Sequence, residues 1–378
     1  MAYVLVDATP VPADLGGVGR YVDGLLGGLG AIQSELVIVC KPSDRARFAA
    51  LAPNARVVTG PVSLERRPVR LAWEQVGLPR LARSLRVDVV HSVHYTMPLR
   101  SPCPAVVTLH DATFFTQPDV HTRIKGPFFR SAIKTALRRA ARCVVPSAAT
   151  RDDLVRVAGA DPNRIDVAYL GVDRSIFSVP TAEEKQRVRN SLGLGDQPYI
   201  AFLGTIEPRK NVSGLIRGWV SAVADEPDPP ALVLAGGAGW DQTVDAEIAK
   251  VPAHLRVMRT GYLPLKDLSG YLGGATLVAY PTHGEGFGLP VLEGMSCGAA
   301  VLTTRKLSIP EVGGDAVAYT DVDPAAIADN LRELLADPQR RELLGKAAQT
   351  RAADFTWEAT ARAHLAAYSA ASQSVMIR

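Results

Sequence analysis

A chain of 378 residues exceeds what one ordinary core organises, so two α/β domains are expected. Hydrophobic residues make up 47% and charged residues 21%, ordinary for a globular protein, and no run approaches the ~18 apolar residues of a membrane span. The net charge is only +4, yet residues 61–142 hold 14 Lys/Arg against five Asp/Glu. That excess suits an anionic partner or a solvated helix face, and nothing in it calls for nucleic acid.

The opening Met-Ala-Tyr-Val-Leu-Val-Asp lacks a basic leader and meets Asp7 early, so it reads as a buried first strand rather than a signal peptide. Short runs rich in Val, Ile and Leu follow at 36–40, 56–59, 87–91, 105–110, 143–146 and 165–170, with helical stretches between them. Their lack of alternation fits parallel strands covered on both faces. Residues 173–198 are polar, with a helical stretch over Ala182–Leu192, and read as an interdomain connection. A second series occupies 199–204, 231–236, 256–261, 276–281, 300–303 and 316–320. The expected fold is α/β: two Rossmann-like doubly wound domains, 1–175 and 176–356, facing each other across a cleft. A C-terminal helix of about 357–378 completes the first. Cys40, Cys103, Cys143 and Cys297 are scattered without a CxxC pair and read as buried free thiols of a reducing cytosol.

Three segments carry candidate chemistry. Leu15-Gly16-Gly17-Val18-Gly19-Arg20-Tyr21 follows the first strand and leads into an apolar helix through Leu25, Leu26 and Leu29. Its glycines allow a backbone to approach a ligand, and a flexible turn explains them equally well. Gly204-Thr205-Ile206-Glu207-Pro208-Arg209-Lys210-Asn211 ends a strand. Arg209 offers a planar fork and Lys210 a compact charge, a pair suited to a diphosphate and expected to be solvent-accessible. Glu285-Gly286-Phe287-Gly288-Leu289-Pro290-Val291-Leu292-Glu293 sets two carboxylates around a glycine-rich turn. Carboxylates accept from vicinal hydroxyls, and backbone N–H groups at the turn can donate. Asp321-Val322-Asp323 matches a metal-holding DxD pattern, but Asp323-Pro324 has the form of an N-cap followed by Pro at N1, so no metal is expected. His91, His94 and His121 carry no motif and read as loop or acceptor-wall residues.

These segments, in this order, resemble the retaining GT-B glycosyltransferases of group 1 type, among them bacterial GDP-mannose-dependent mannosyltransferases. The likeness runs over Gly16-Gly17, His110-Asp111, Gly204 through Asn211 and Glu285 through Glu293, nearly the whole chain. It implies that Arg209 and Lys210 hold the diphosphate of a nucleotide-sugar donor. It implies that Glu285 and the backbone of Gly286, Phe287, Gly288 and Leu289 hold the donor sugar, and that Glu293 holds the ribose. Gly16 and Gly17 would approach the phosphate from the other domain, and His110 would sit beside the reacting sugar. No cofactor or metal is implied. The acceptor would be a saccharide or lipid-linked hydroxyl shaped by the first domain.

The donor expected first is GDP-mannose, with UDP-glucose, UDP-N-acetylglucosamine and dTDP-rhamnose as alternatives. The segment Arg123 through Arg130 puts Phe128-Phe129 among cations, which suits peripheral contact with an anionic inner leaflet; core packing of the two rings is the other reading. Rival classes are a nicotinamide oxidoreductase, which lacks its GxGxxG turn here, a non-catalytic sugar-nucleotide binding protein, and an inverting GT-B enzyme.

Overall fold

Thirteen short β-strands separate the helices of this chain in a computed structural model that describes residues 2–12, 16–33, 35–118 and 125–373. Contacts divide the chain into two units, Met1–Gly171 with Thr356–Arg378, and Val172–Phe355. The sequence alone puts the first boundary at 175/176.

In the first unit the strands are β1 (Val4–Asp7), β2 (Leu36–Cys40), β3 (Arg56–Thr59), β4 (Val89–Ser92), β5 (Ala105–Thr108), β6 (Arg142–Val145) and β7 (Ile165–Val167). They pair in parallel in the order β3-β2-β1-β4-β5-β6-β7. The apolar runs of β1, β2, β4 and β5 are buried throughout, whereas edge strand β3 is half-exposed. The principal helices are α1 (Gly17–Ile32), α2 (Arg67–Leu85) and α3 (Lys125–Arg139). One sheet face packs Leu5, Val37, Val39 and Val90 against Leu78 and Ala82 of α2. A C-terminal helix, Trp357–Gln373, returns to lie along α1. A Cβ at Gly24 would stand 2.0 Å from the Trp357 ring, and one at Gly28 2.4 Å from the Trp357 carbonyl oxygen. The two glycines, one turn apart on one helix face, therefore make the close approach possible.

The second unit holds β8 (Tyr199–Leu203), β9 (Ala231–Ala235), β10 (Val257–Gly261), β11 (Leu277–Tyr280), β12 (Val301–Thr304) and β13 (Ala318–Thr320), parallel in the order β10-β9-β8-β11-β12-β13. The polar connection contains the expected helix, as Ala182–Ser191, started by a Thr181/Glu184 capping box. Helices α4 (Val212–Val223) and α5 (Leu289–Ser296) follow β8 and β11, and α6 (Pro324–Ala336) follows β13. Asp323 accepts from the Ala326 N–H at 2.9 Å and Pro324 opens α6, which is the capping arrangement its sequence calls for.

In each unit the order of strands reverses once. The switch lies between β1 and β4 in the first sheet and between β8 and β11 in the second. Crevices at the carboxyl ends of strands flanking such a point are where open α/β sheets bind ligands.

Candidate active site

The second switch point is built from charge. After β8 the chain makes a short turn at Pro208–Lys210, and Asn211 adopts a left-handed conformation (φ 55°) to start α4. Its side-chain amide donates to the carbonyls of Pro281 (3.2 Å) and Val322 (2.7 Å), tying this turn to those after β11 and β13. The Arg209 carbonyl accepts from the His283 N–H (2.8 Å) and the Thr282 hydroxyl (3.1 Å). The Gly204–Asn211 turn and the segment leading into Glu285 are thus neighbours in space.

The Arg209 guanidinium donates to the Gly284 carbonyl (2.8 Å) and to Glu207 Oε1 (2.7 Å), and pairs directly with Glu285 Oε2. Glu285 Oε1 accepts from the Tyr280 hydroxyl at 2.7 Å. Lys210 Nζ stands 3.6 Å from Glu207 Oε1. Burial pushes the Lys210 ammonium below its ordinary range, and Glu207 and Glu285 pull it back up. The phenol of Tyr280 is driven well above its usual value by burial and then by Glu285, so it stays a hydrogen-bond donor. The expectation that both cations are solvent-accessible is corrected: the Arg209 side chain is 15% exposed and that of Lys210 11%. The reason is electrostatic. Two acids in the same turns let the cations stay in a mostly buried position that unpaired charges would leave.

After Glu285 the turn runs through Gly286 and buried Phe287 to Gly288, whose φ of +105° favours glycine and which caps α5. The Ser308 hydroxyl lies within hydrogen-bonding distance of the carbonyls of Glu285 (2.8 Å) and Phe287 (2.9 Å), fixing the turn from below. Leu289 opens the helix, and Glu293 is buried one turn further along it. Glu207, Tyr280, Thr282 and Ser308 are polar members that sequence reading gave no role. Glu207 lies inside the Gly204–Asn211 motif, and Tyr280 ends an apolar run at a strand's carboxyl end.

The first switch point is furnished differently. Gly16 caps α1 and Gly17 begins it, and among the described residues a Cβ at either would meet nothing within 4 Å. Leu15 and His121 lie outside the described residues. His110 follows β5; its Nε2–H donates to the Val93 carbonyl at 2.9 Å, which leaves Nδ1 as the acceptor nitrogen. Burial lowers its pKa, with Val93 and Asp111 opposing, so the ring is neutral at pH 7. Rings of Tyr21 (5.0 Å), His94 (5.5 Å) and Tyr95 (5.5 Å) surround it. His94 is itself pushed down to about 3 by burial. His91 is not a loop residue: it sits inside β4, fully buried, and bonds Thr108 and Tyr368. Phe129 packs on Phe114 with centroids 4.7 Å apart, while Phe128 is 42% exposed, so the aromatic pair divides between core and surface. Arg123 and Ile124 lie outside the described residues.

Two Rossmann-like parallel-sheet units in tandem, with polar side chains gathered at a strand-order switch, are what a GT-B fold is built from. Residues 15–176 match the model of Glycosyltransferase Family 4, and residues 184–351 match that of Glycosyl transferases group 1. The chain is 30% identical over 293 residues to O-antigen chain mannosyltransferase B of Escherichia coli, covering 77% of this chain and 74% of that one. It is 29% identical over 383 residues to a D-inositol 3-phosphate glycosyltransferase of Corynebacterium kroppenstedtii, covering 93% and 85%. Among solved structures it is similar to a sucrose-phosphate synthase of Thermosynechococcus elongatus (TM-score 0.78, 19% identity, 99% of each chain). It is also similar to HepE of Anabaena in complex with UDP-glucose (TM-score 0.74, 17% identity, 96% and 98%). The chain belongs to the group 1 glycosyltransferase family, and it is a glycosyltransferase.

Proposed function

We propose that this enzyme transfers a hexose from a nucleotide diphosphate sugar to a saccharide or lipid-linked hydroxyl, with retention of configuration and without a metal. The observation that carries the reading is the Arg209–Lys210 pair held at the second switch point beside Glu285. The diphosphate takes over cationic contacts that Glu207 and Glu285 supply in its absence, and the paired cations stabilise charge as the leaving group departs. Charge stabilisation by Arg209 and Lys210 is what makes a metal unnecessary on this reading.

Glu285, freed in part from Arg209, accepts from sugar hydroxyls, with N–H groups of Gly286 through Leu289 donating around it. Glu293 holds the ribose. His110 offers Nδ1 to a sugar hydroxyl, and its neutral state suits acceptance better than charge would. The room that the described residues leave at Gly16 and Gly17 supports close passage of a phosphate. Retention follows the group 1 resemblance, in which the leaving diphosphate helps deprotonate the incoming hydroxyl on the same face.

GDP-mannose is the donor proposed first, supported by the likeness to O-antigen chain mannosyltransferase B. A thermal-shift screen of nucleotides tests it: stabilisation by GDP is expected, and a response to UDP with none to GDP overturns it. The enzyme is proposed to work in the cytoplasm, touching the inner leaflet through α3, where Phe128, Lys134, Arg138 and Arg139 are exposed. Among the described residues no helix is long and apolar enough to cross a membrane. Sedimentation should show binding to anionic but not neutral vesicles; equal partitioning onto both, or none onto either, leaves a soluble saccharide as the better acceptor.

A further inference from the structure

The first unit buries two histidines, two tyrosines and a threonine that the proposed reaction does not use. Tyr368 Oη lies 2.8 Å from His91 Nδ1, and His91 Nε2 lies 2.8 Å from Thr108 Oγ1. Thr108 Oγ1 lies 2.7 Å from Tyr21 Oη, which is 2.9 Å from His364 Nε2. His364 Nδ1 ends the series 2.8 Å from the Thr360 carbonyl oxygen. Every side chain in the series is at most 2% exposed.

Elementary proton counting gives this series one direction. A carbonyl only accepts, so His364 Nδ1 carries a proton, and in the neutral ring Nε2 then accepts from the Tyr21 hydroxyl. Tyr21 accordingly accepts from Thr108, Thr108 from His91 Nε2–H, and His91 Nδ1 from Tyr368. Every donor meets one acceptor. The reverse direction needs an extra proton on His364 and leaves the buried Tyr368 O–H without an acceptor among the described residues, a costly arrangement. Burial, which lowers His91 well below its usual value and His364 to about 4, disfavours that extra proton.

We propose that Tyr21 is a positioning residue for His110, locked by this directed chain of hydrogen bonds. The ring of Tyr21 meets that of His110 edge to face, centroids 5.0 Å apart and planes at 81°. Among the described residues one hydrogen bond, from Nε2–H to the Val93 carbonyl, holds the His110 ring, so its orientation depends on what packs against it. The Tyr21 hydroxyl is gripped at the far end of its ring by Thr108 and His364, which prevents the ring from sliding and hence His110 from turning its Nδ1 away. The C-terminal helix, bearing His364 and Tyr368, thereby helps orient a side chain more than 250 positions earlier in sequence. The proposal rests on the reading that His110 contacts the reacting sugar.

The test joins long-range proton–nitrogen NMR correlation of the imidazole rings in the full-length protein with kinetics of GDP-mannose hydrolysis, or UDP-glucose hydrolysis if only that donor is turned over. His91 is expected as the neutral Nε2–H tautomer and His364 as the neutral Nδ1–H tautomer at pH 7. Tyr21→Phe should lower kcat about tenfold with donor KM within about twofold, and should shift the His110 nitrogen resonances. Tyr368→Phe, which removes the distant first link, should shift the His110 nitrogen resonances and lower kcat in the same direction as Tyr21→Phe but by less, and an effect larger than that of Tyr21→Phe overturns the order of the chain. Opposite tautomers, or a charged ring at either histidine, overturn the directed chain. Wild-type kcat and an unshifted His110 in Tyr21→Phe overturn the positioning role. Wild-type turnover in His110→Ala would instead overturn the reading of His110 itself, and is told apart because the two tautomers still report the chain.

Discussion

The two sheets reverse strand order at equivalent places, yet the two switch points solve the problem of buried polarity in opposite ways. At β8/β11, Arg209, Lys210, Glu207 and Glu285 stay mostly buried by pairing with one another. At β1/β4 and the adjoining β5, burial works against charge: His91, His94 and His110 are pushed down to neutral rings and Asp7 is pushed up to about 6, while Glu74 beside them pairs with Arg70 at 2.8 Å. A region of paired charge can exchange an internal partner for an incoming anion at little net cost in desolvation. A neutral region of imidazole and phenol instead presents fixed donors and acceptors, which suits sugar hydroxyls. On the proposed function, the paired-charge switch point would receive the phosphate and the neutral rings would meet the hydroxyls.

The sharpest way to break this comparison is to remove the cation that both acids share. Arg209→Ala should lower kcat/KM at least ~100-fold, about 3 kcal/mol, since it deletes charge-assisted bonds of about 1.5–3 kcal/mol each. It should also destabilise the fold, because Glu285 and Glu207 are left in a mostly buried place without their guanidinium. Steady-state kinetics with a urea titration check both. Wild-type kcat/KM would mean that the diphosphate is bound elsewhere and that the paired charges only hold the turns together.

A smaller effect separates the two carboxylates. Glu285→Ala should depress kcat by about tenfold to 100-fold with a lesser loss of nucleotide affinity, because Glu285 is proposed to hold the donor sugar. Glu293→Ala should chiefly weaken nucleotide binding, read by calorimetry. If affinity for GDP or UDP fell only in the Glu285 variant, the two roles are reversed.

The sheets were legible because parallel strands covered on both faces need uninterrupted Val, Ile and Leu, and such runs stand out against the helices. Their ends were less so: the run 165–170 pairs only over Ile165–Val167, and 316–320 only over Ala318–Thr320. The charged turns were legible as motifs, and each motif lies within one short loop. Their mutual neutralisation was not, since Arg209 and Glu285 are 76 positions apart and nothing local announces the pairing. The histidine–tyrosine chain was the least legible. Tyr21 and His364 are separated by 343 positions and Tyr368 and His91 by 277, so His91, at the end of the run 87–91, reads from sequence as a loop or acceptor-wall residue. Gly24 and Gly28 had no visible reason until Trp357 was found against them.

The smallest expected effect tests whether the first switch point truly disfavours charge. Asp7 ends β1 with no exposed surface, and its Oδ1 accepts from the Thr9 N–H (3.0 Å) and hydroxyl (2.7 Å). Its carboxyl is raised from the ordinary 3.8 to about 6, first by burial and then by the charge of Glu74, against the pull of Thr9 and Arg70. A carboxyl whose folded value lies above its unfolded one holds its proton more tightly when folded. Stability from this group is therefore full below about 4, falls as pH rises toward about 6, and stays low beyond. Asp7→Asn keeps an oxygen for both Thr9 bonds and removes the ionisation. The variant should unfold at higher urea than wild type at pH 8, by on the order of 1–2 kcal/mol, with the difference shrinking to nothing near pH 4. If Asp7→Asn were instead less stable at pH 8, the ionised carboxylate would be paired to advantage with Arg70, and the first switch point would be a second site of held charge rather than a neutral one.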